Sequence, residues 1–82
     1  MTITVLYFAA LRDAVGVAQE DVELSQAALP VASLLKILAE RRPVLSSRLS
    51  SLRVAVNESF ALASDIVRPG DVIALIPPVA GG

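Results

Sequence analysis

Two consecutive segments decide the fold of this chain: Val72-Ile73-Ala74-Leu75-Ile76 and, directly after it, Pro77-Pro78-Val79-Ala80-Gly81-Gly82. A short apolar run that ends at proline is typical of a strand buried within a sheet. The two prolines have no N–H to donate to a neighbouring strand, so the sheet must end there. Proline also disfavours the helical region in the residue before it. We therefore predict a buried last strand that continues into a stiff, protruding tail over residues 77–82, which spans at most about 20 Å.

The first part of the chain is predicted to supply two further strands and a short helix. Thr2 to Phe8 alternates between two faces, with Ile3, Val5 and Tyr7 on one of them. Ala9 to Val15 fits a short helix that ends at Gly16. Val17 to Leu24 alternates only weakly and is rich in acidic residues, which is typical of an edge strand protected from unwanted pairing.

The main helix is predicted over Pro30 to Arg42. An apolar stripe at helical spacing supports it, formed by Val31, Leu34, Leu35 and Leu38. Pro30 is expected at the first helical position, where its missing N–H is tolerated. The helix should end at Arg42 because Pro43 follows.

The second half of the chain is predicted to contain short strands joined by turns. The Ser-rich stretch 46–51 forms either a short helix on the core, which we favour, or an ordered loop. Arg53 to Val56 is predicted as a strand, Asn57-Glu58-Ser59 as a turn and Phe60-Ala61-Leu62 as a segment that pairs back. Pro69-Gly70-Asp71 should form the turn into the last strand. Residues 1–82 thus predict a single two-layer α+β domain with one mixed sheet of about five strands.

Composition restricts the classes of partner. The net charge of −1 gives no reason to expect binding to nucleic acid or to an anionic membrane. No run reaches the roughly 18 apolar residues of a membrane span. Because 55% of the residues are hydrophobic, some apolar surface is expected outside the core, either as a partner-binding patch or as ordinary surface padding. Four arginines form either a solvated face or a docking surface for an acidic partner: Arg41, Arg42, Arg48 and Arg53.

The side chains offer little chemistry. The chain has no cysteine and no histidine, which removes the usual thiolate nucleophile, general base and metal ligands. We expect no catalytic or metal-binding residue, and we interpret Glu20, Asp21 and Glu23 as part of an exposed edge. The remaining candidate is the Gly82 carboxylate, which could react once activated, for instance as an acyl-adenylate. Glycine at positions 81 and 82 leaves no Cβ to block a narrow channel, although a frayed terminus is the alternative.

Several motifs resemble one known family, the small subunit of molybdopterin synthase. They are Val5-Leu6-Tyr7-Phe8-Ala9, Leu11-Arg12, Gly16, Val56-Asn57, Pro69-Gly70-Asp71-Val72-Ile73-Ala74 and the tail. The resemblance implies a ubiquitin-like β-grasp fold. Thiamine-pathway sulfur carriers share the fold and the terminal glycines but usually lack the proline pair. The stretch from Ala18 to Pro30 is longer than usual for the family, and no Thr follows Pro30.

The resemblance also implies a non-catalytic role as a sulfur carrier in the cytoplasm, within a heterotetrameric synthase. An E1-like enzyme would adenylate Gly82 with ATP, a sulfurtransferase would supply sulfur for a C-terminal thiocarboxylate, and no cofactor would be stably bound. The tail, with Pro77, Pro78, Val79 and Ala80, would enter the active site of the large synthase subunit and donate sulfur to a cyclic pyranopterin monophosphate, forming the molybdopterin dithiolene. The implied partner interface comprises Phe8, Arg12, Phe60 and Leu75. Three alternatives remain: a carrier in another sulfur pathway, a ubiquitin-like protein modifier, and a plain interaction domain.

Overall fold

The computed structural model describes residues 1–78, which form seven strands and two α-helices. Val79–Gly82, the rest of the predicted tail, lies outside the described residues. In chain order the elements are β1 (Thr2–Tyr7), α1 (Ala9–Val15), β2 (Gln19–Glu23), β3 (Leu29–Pro30), α2 (Val31–Arg41), β4 (Arg53–Val56), β5 (Ser59–Phe60), β6 (Ile66–Val67) and β7 (Val72–Ile76). Two 3-10 turns, Pro43–Leu45 and Leu49–Ser51, connect α2 to β4.

Strand β7 lies at the centre of the main sheet, as its apolar sequence predicts. The strand order is β2-β1-β7-β4-β5. β7 pairs in parallel with β1 and antiparallel with β4. Ile73 lies opposite Val5 on β1, and neither side chain is exposed to solvent. A strand hydrogen-bonded on both sides is held in place along its whole length, so it gives the following tail a rigid starting point.

Helix α2 covers one face of this sheet and completes a two-layer α+β domain, which confirms the predicted fold class. Val31, Leu34 and Leu38 are buried against the sheet, and Leu35 is half-buried beside them. The stripe predicted from the sequence therefore packs on the core. Leu45, in the first 3-10 turn, is fully buried and closes one side of it.

The structure corrects two details of the predicted helices and adds one small sheet. Pro30 is not the first helical residue but the N-cap, with an extended ψ of 151°. It is extended because Leu29–Pro30 pairs with Ile66–Val67 in a separate two-stranded sheet, which the sequence did not predict. The Ser-rich stretch forms short 3-10 turns rather than one helix, although Leu49 and Leu52 still pack against the core.

The glycines and Asn57 of the predicted turns adopt backbone conformations that they favour, whereas Glu58, with a φ of 73°, occupies the left-handed region that non-glycine residues rarely adopt. Gly16 ends α1 with a φ of 96°, and Gly70 occupies the turn before β7 with a φ of 82°. Asn57, with a φ of 50°, tolerates the left-handed region better than most residues. Its side-chain amide also accepts a hydrogen bond from the Val72 N–H at 2.9 Å and donates one to Asp71 at 3.0 Å. The β4–β5 hairpin is thereby tied to the start of β7.

A partly buried cluster of polar side chains connects the edge strand β2 to the end of α2. The Arg42 guanidinium donates two hydrogen bonds to the Glu20 carboxylate, at 2.6 and 2.9 Å. Tyr7 donates its hydroxyl hydrogen to the same carboxylate, and the Arg42 guanidinium carbon lies 5.9 Å from the centre of the Tyr7 ring. The hydrogen bonds from Arg42 lower the pKa of Glu20 below its ordinary value. The pKa of Tyr7 is raised, mainly by burial of its hydroxyl group and also by its hydrogen bond to Glu20. Of the four arginines considered above, Arg42 is thus a structural residue.

We predict that Leu34→Ala destabilises the domain by about 2–5 kcal/mol. Leu34 is fully buried between α2 and the sheet, so truncation removes apolar contacts and leaves a cavity. Urea unfolding followed by circular dichroism measures the change. Lys36→Ala, at an exposed position of the same helix, is the matched control and should change the free energy of unfolding by less than about 0.5 kcal/mol.

We also predict that the stabilising effect of Glu20 depends on pH. The pKa of Glu20 is lowered in the folded protein, so its ion pair stabilises the domain above the unfolded pKa and ceases to do so as pH falls through the folded pKa. Glu20→Gln should therefore destabilise the domain near pH 7, and the difference from wild type should shrink on acidification below about pH 4. Thermal melts across pH measure it. Glu40→Gln, an exposed carboxylate on α2, serves as control; a difference for Glu20→Gln that is constant with pH contradicts the prediction.

Candidate functional site

The tail leaves the domain directly from the central strand. Ile76, the last residue of β7, pairs with Arg53 on β4. Pro77 is half-buried and Pro78 is exposed, and neither continues the strand. The prolines therefore end the sheet as predicted and direct the chain away from it. The rest of the predicted sulfur-carrying segment, Val79 to Gly82, lies outside the described residues.

Beside this exit, the sheet face opposite α2 is apolar and uncovered. It contains a groove of about 540 Å³, which we call the open-face groove. Side chains point to this face because alternate residues of a strand lie on opposite sides of the sheet. The residues that line it are Leu6, Phe8, Ala55, Asn57, Glu58, Phe60, Val72, Ala74 and Ile76.

The structure brings together two of the four predicted interface residues. Phe8 and Phe60 both line the open-face groove, and 46% and 67% of their respective surfaces are exposed. Arg12 is exposed on α1 but does not line the groove. Leu75 is wrong as an interface residue, because its side chain is 0% exposed and belongs to the core. Ile76, one position along the strand, has the outward orientation instead.

Most residues on the floor of the open-face groove were not predicted from the sequence. Ala55 and Ala74 lie opposite each other on β4 and β7, and their small side chains leave the space that Phe8 and Phe60 border. Both faces of β7 are apolar, so alternation alone did not show which face was outside. The sequence carried no signal that distinguished the two faces, because packing against α2 decides which of them points outward.

A second groove lies on the side of the domain and shares one wall with the first. We call it the lateral groove; its volume is about 340 Å³. It is lined by Val31, Leu35, Leu52, Arg53, Val54, Phe60, Ala61, Leu62 and Ala63. The Arg53 guanidinium carbon lies 4.8 Å from the centre of the Phe60 ring, in a cation–π arrangement. Leu62 borders this groove and is 72% exposed.

The acidic side chains of the edge strand are engaged within the domain. Glu20, Asp21 and Glu23 lie on the edge strand β2, as predicted, and each is hydrogen-bonded: Glu20 to Arg42, Asp21 to Thr4 and Glu23 to Thr2. Within these residues, no three potential ligands cluster in a way that could hold a metal ion. Nor does either described helix have the length and apolarity needed to cross a membrane.

Comparison with curated proteins identifies full-length relatives. The chain is 36% identical over 84 residues to the "Molybdopterin synthase sulfur carrier subunit" of Chlamydomonas reinhardtii, with all of both chains covered. It is 37% identical over 81 residues to the protein of the same name from Mycobacterium tuberculosis, covering 98% of this chain and 96% of that one.

Comparison with solved structures identifies proteins of the same fold. SAMP1 from Haloferax volcanii superposes with a TM-score of 0.88 at 27% identity, with both chains fully covered. A second match is a chain in the protein–protein complex of subunits 1 and 2 of the molybdopterin-converting factor from Helicobacter pylori. It superposes with a TM-score of 0.69 at 22% identity, and both chains are fully covered. These likenesses confirm the β-grasp fold. A model of the ThiS family matches residues 5–82, and the chain therefore belongs to the ThiS family.

Proposed function

We propose that this chain is the sulfur-carrier subunit of a molybdopterin synthase and that it carries sulfur on the carboxyl group of Gly82. The observation that carries the proposal is the full-length similarity to two proteins that bear this name. The exit of Pro77 and Pro78 from a central strand supports it, because a rigid base holds the start of the tail in a defined direction. A tail that is stiff before binding also loses less entropy when it enters a partner's channel.

The proposed chemistry begins at the Gly82 carboxylate. A carboxylate resists nucleophiles until one of its oxygens becomes part of a better leaving group. An E1-like activating enzyme supplies this step by transferring AMP from ATP to the carboxylate and releasing pyrophosphate. A persulfide on the sulfurtransferase then attacks the acyl carbon and displaces AMP. A thiol attacks the resulting acyl disulfide, so that the thiocarboxylate leaves and a disulfide forms. ATP acts only on the activating enzyme, and the carrier itself holds no stable cofactor.

The proposed acceptor step takes place on the large subunit of the synthase. There the tail, from Pro77 to Gly82, lies in the active site. The thiocarboxylate sulfur displaces an oxygen substituent of a cyclic pyranopterin monophosphate, and hydrolysis of the resulting thioester leaves the sulfur on the pterin and returns the Gly82 carboxylate. Two loaded carriers therefore supply the two sulfurs of the molybdopterin dithiolene. The carrier is thus non-catalytic, consistent with side chains that offer no general base or metal site. We propose that the carrier acts in the cytoplasm.

The open-face groove is the proposed docking surface for the large subunit. A partner that takes up the tail must approach the end of β7, and Ile76 at that end also lines the groove. Phe8 and Phe60 offer large exposed apolar surfaces there, as aromatic anchors of interfaces often do. The groove and the tail therefore contact the partner together.

A second candidate function is covalent modification of other proteins through Gly82. The close structural likeness to SAMP1 favours it, since this name stands for small archaeal modifier protein 1. A modifier would form an isopeptide bond between Gly82 and a lysine amine, with AMP leaving from the adenylate. Conjugates that survive thiols and denaturant would indicate this function, whereas a thiocarboxylate and no conjugates would indicate the carrier.

We predict that deletion of Gly82 abolishes molybdopterin synthesis without unfolding the domain. The terminal carboxylate then belongs to Gly81 and falls about 3.5 Å short of the position that reacts, while residues 1–78, which contain the sheet and the core, are unchanged. Synthesis is measured with the large subunit, the activating enzyme and a sulfur source, and folding is measured by thermal melting. In wild type, intact-mass spectrometry should show replacement of one oxygen by sulfur, located on Gly82. Full activity of the deletion variant would contradict the function.

The choice between sulfur pathways needs a separate comparison. Expression of the chain in strains that lack their own molybdenum-cofactor carrier or their own thiamine carrier should restore only the first. Restoration of only the thiamine strain would assign the chain to that pathway instead.

We predict that Phe8→Asp weakens binding to the large subunit at least tenfold. A buried aromatic anchor contributes about 2 kcal/mol or more to an interface, and a carboxylate in its place must be desolvated on docking. Titration calorimetry of carrier against large subunit measures the affinity. Val44→Asp is the matched control, because Val44 is an exposed apolar residue that lines neither groove. Equal affinities for the two variants would show that the open-face groove is not the docking surface.

A further inference from the structure

The wall between the open-face groove and the lateral groove is formed by one aromatic ring and one cation. Phe60 lines both grooves, and Arg53 lines the lateral groove with its guanidinium 4.8 Å from the Phe60 ring centre. We call this pair the Arg53–Phe60 ridge. Both residues are exposed, so a partner that covers the ridge removes a positive charge from water.

The hairpin register places the ridge next to the tail. Arg53 lies opposite Ile76, the last strand residue before the prolines. Phe60 lies opposite Ala55 on the same hairpin. A partner that receives the tail therefore passes close to the Arg53 guanidinium, whatever else it contacts.

The charge of Arg53 is not neutralised within the described part of the chain. Among residues 1–78, no carboxylate lies within ion-pair distance of its guanidinium; the ion pair found there joins Arg42 to Glu20. When a partner covers Arg53, its guanidinium loses its hydration. Contact with the Phe60 ring offsets only part of this desolvation cost, because a cation–π contact is weaker than the hydration of a full charge. A partner without an anion at this position would bury an unpaired cation, which is strongly unfavourable.

The lateral groove also favours a partner with an apolar side chain at this position. Leu62, Leu35 and Leu52 border it beside Arg53, and Leu62 is more exposed than Phe60. An apolar side chain fits this groove, whereas a second charge would be desolvated there without a partner.

We propose that the Arg53–Phe60 ridge is a specificity contact for the large synthase subunit, which places a carboxylate on Arg53 and an apolar side chain in the lateral groove. This inference rests on the proposed function and extends the docking surface from the open face to the side of the domain. Glu58, at the far end of the open-face groove, gives the surface an opposite charge away from the tail. The two charges set the orientation of the partner along β7 and disfavour partners with the reverse pattern.

The test compares four carrier variants in titration calorimetry with the purified large subunit. Arg53→Glu should weaken binding at least tenfold, equivalent to about 1.4 kcal/mol, and the affinity should depend less on salt than that of wild type. Arg53→Lys retains the charge and should bind more tightly than Arg53→Glu. Leu62→Asp should also weaken binding at least tenfold. Arg41→Glu makes the same charge change at an exposed position at the end of α2 and should stay within twofold of wild type.

Two readouts separate failure of this inference from failure of the proposed function. Thermal melts of all variants should match wild type, because Arg53 and Leu62 are exposed. If wild type binds the large subunit and forms the Gly82 thiocarboxylate, but Arg53→Glu or Leu62→Asp binds equally well, the ridge contact is wrong and the function stands. Equal losses for Arg53→Glu, Arg53→Lys and Arg41→Glu would also overturn it. If wild type neither binds nor becomes thiocarboxylated, both proposals fail.

Discussion

The structure depends on the pairing of β7 with strands on both of its sides. The parallel ladder with β1 brings the beginning and the end of the chain together, and Val5 and Ile73 meet there with no exposure to solvent. The antiparallel ladder with β4 fixes the hairpin that carries Phe60. Because this pairing joins residues about 70 positions apart, it forms only when the whole domain folds. The point at which Pro77 leaves the sheet is thus a property of the complete fold and not of a local segment.

A domain of this size has one layer of helix and can cover only one face of its sheet. α2 covers the face formed by Ile3, Val5, Tyr7, Ile73 and Leu75. The other face of the same strands is also apolar, with Leu6, Ala74 and Ile76, and nothing in the described residues covers it. Solvation of this second face is unfavourable. The proposed docking of the large subunit on the open-face groove would remove this apolar surface from water.

The sequence predicted those parts of the structure that depend on local rules. The apolar stripe of α2, Gly16 and Gly70 at positive φ, and the end of β7 at Pro77 all follow from short-range geometry. The β3–β6 pair was missed because strands of two residues have no periodicity. Leu75 was assigned to the interface instead of Ile76 because both faces of β7 are apolar, so packing alone decides which residues point outward. The contacts between Glu20 and Arg42, and between Arg53 and Phe60, depend on strand register and long-range packing that single residues do not encode.

The distribution of charge explains why the two edges of the sheet serve different purposes. β2 forms one edge, and its acids are engaged with Arg42, Thr2 and Thr4, which satisfies them within the domain and discourages strand pairing there. β5 forms the other edge with only two residues, and the large side chains near it, Phe60 and Leu62, remain exposed. Arg53 stands beside them without a described carboxylate partner. The acids of the first edge are therefore paired within the domain, whereas the second edge has an exposed apolar surface and, among residues 1–78, a cation without a carboxylate partner. Ile76, the last residue before the prolines, lies opposite this cation on β4. In the proposed function, a partner that takes up the tail therefore meets Arg53 as well.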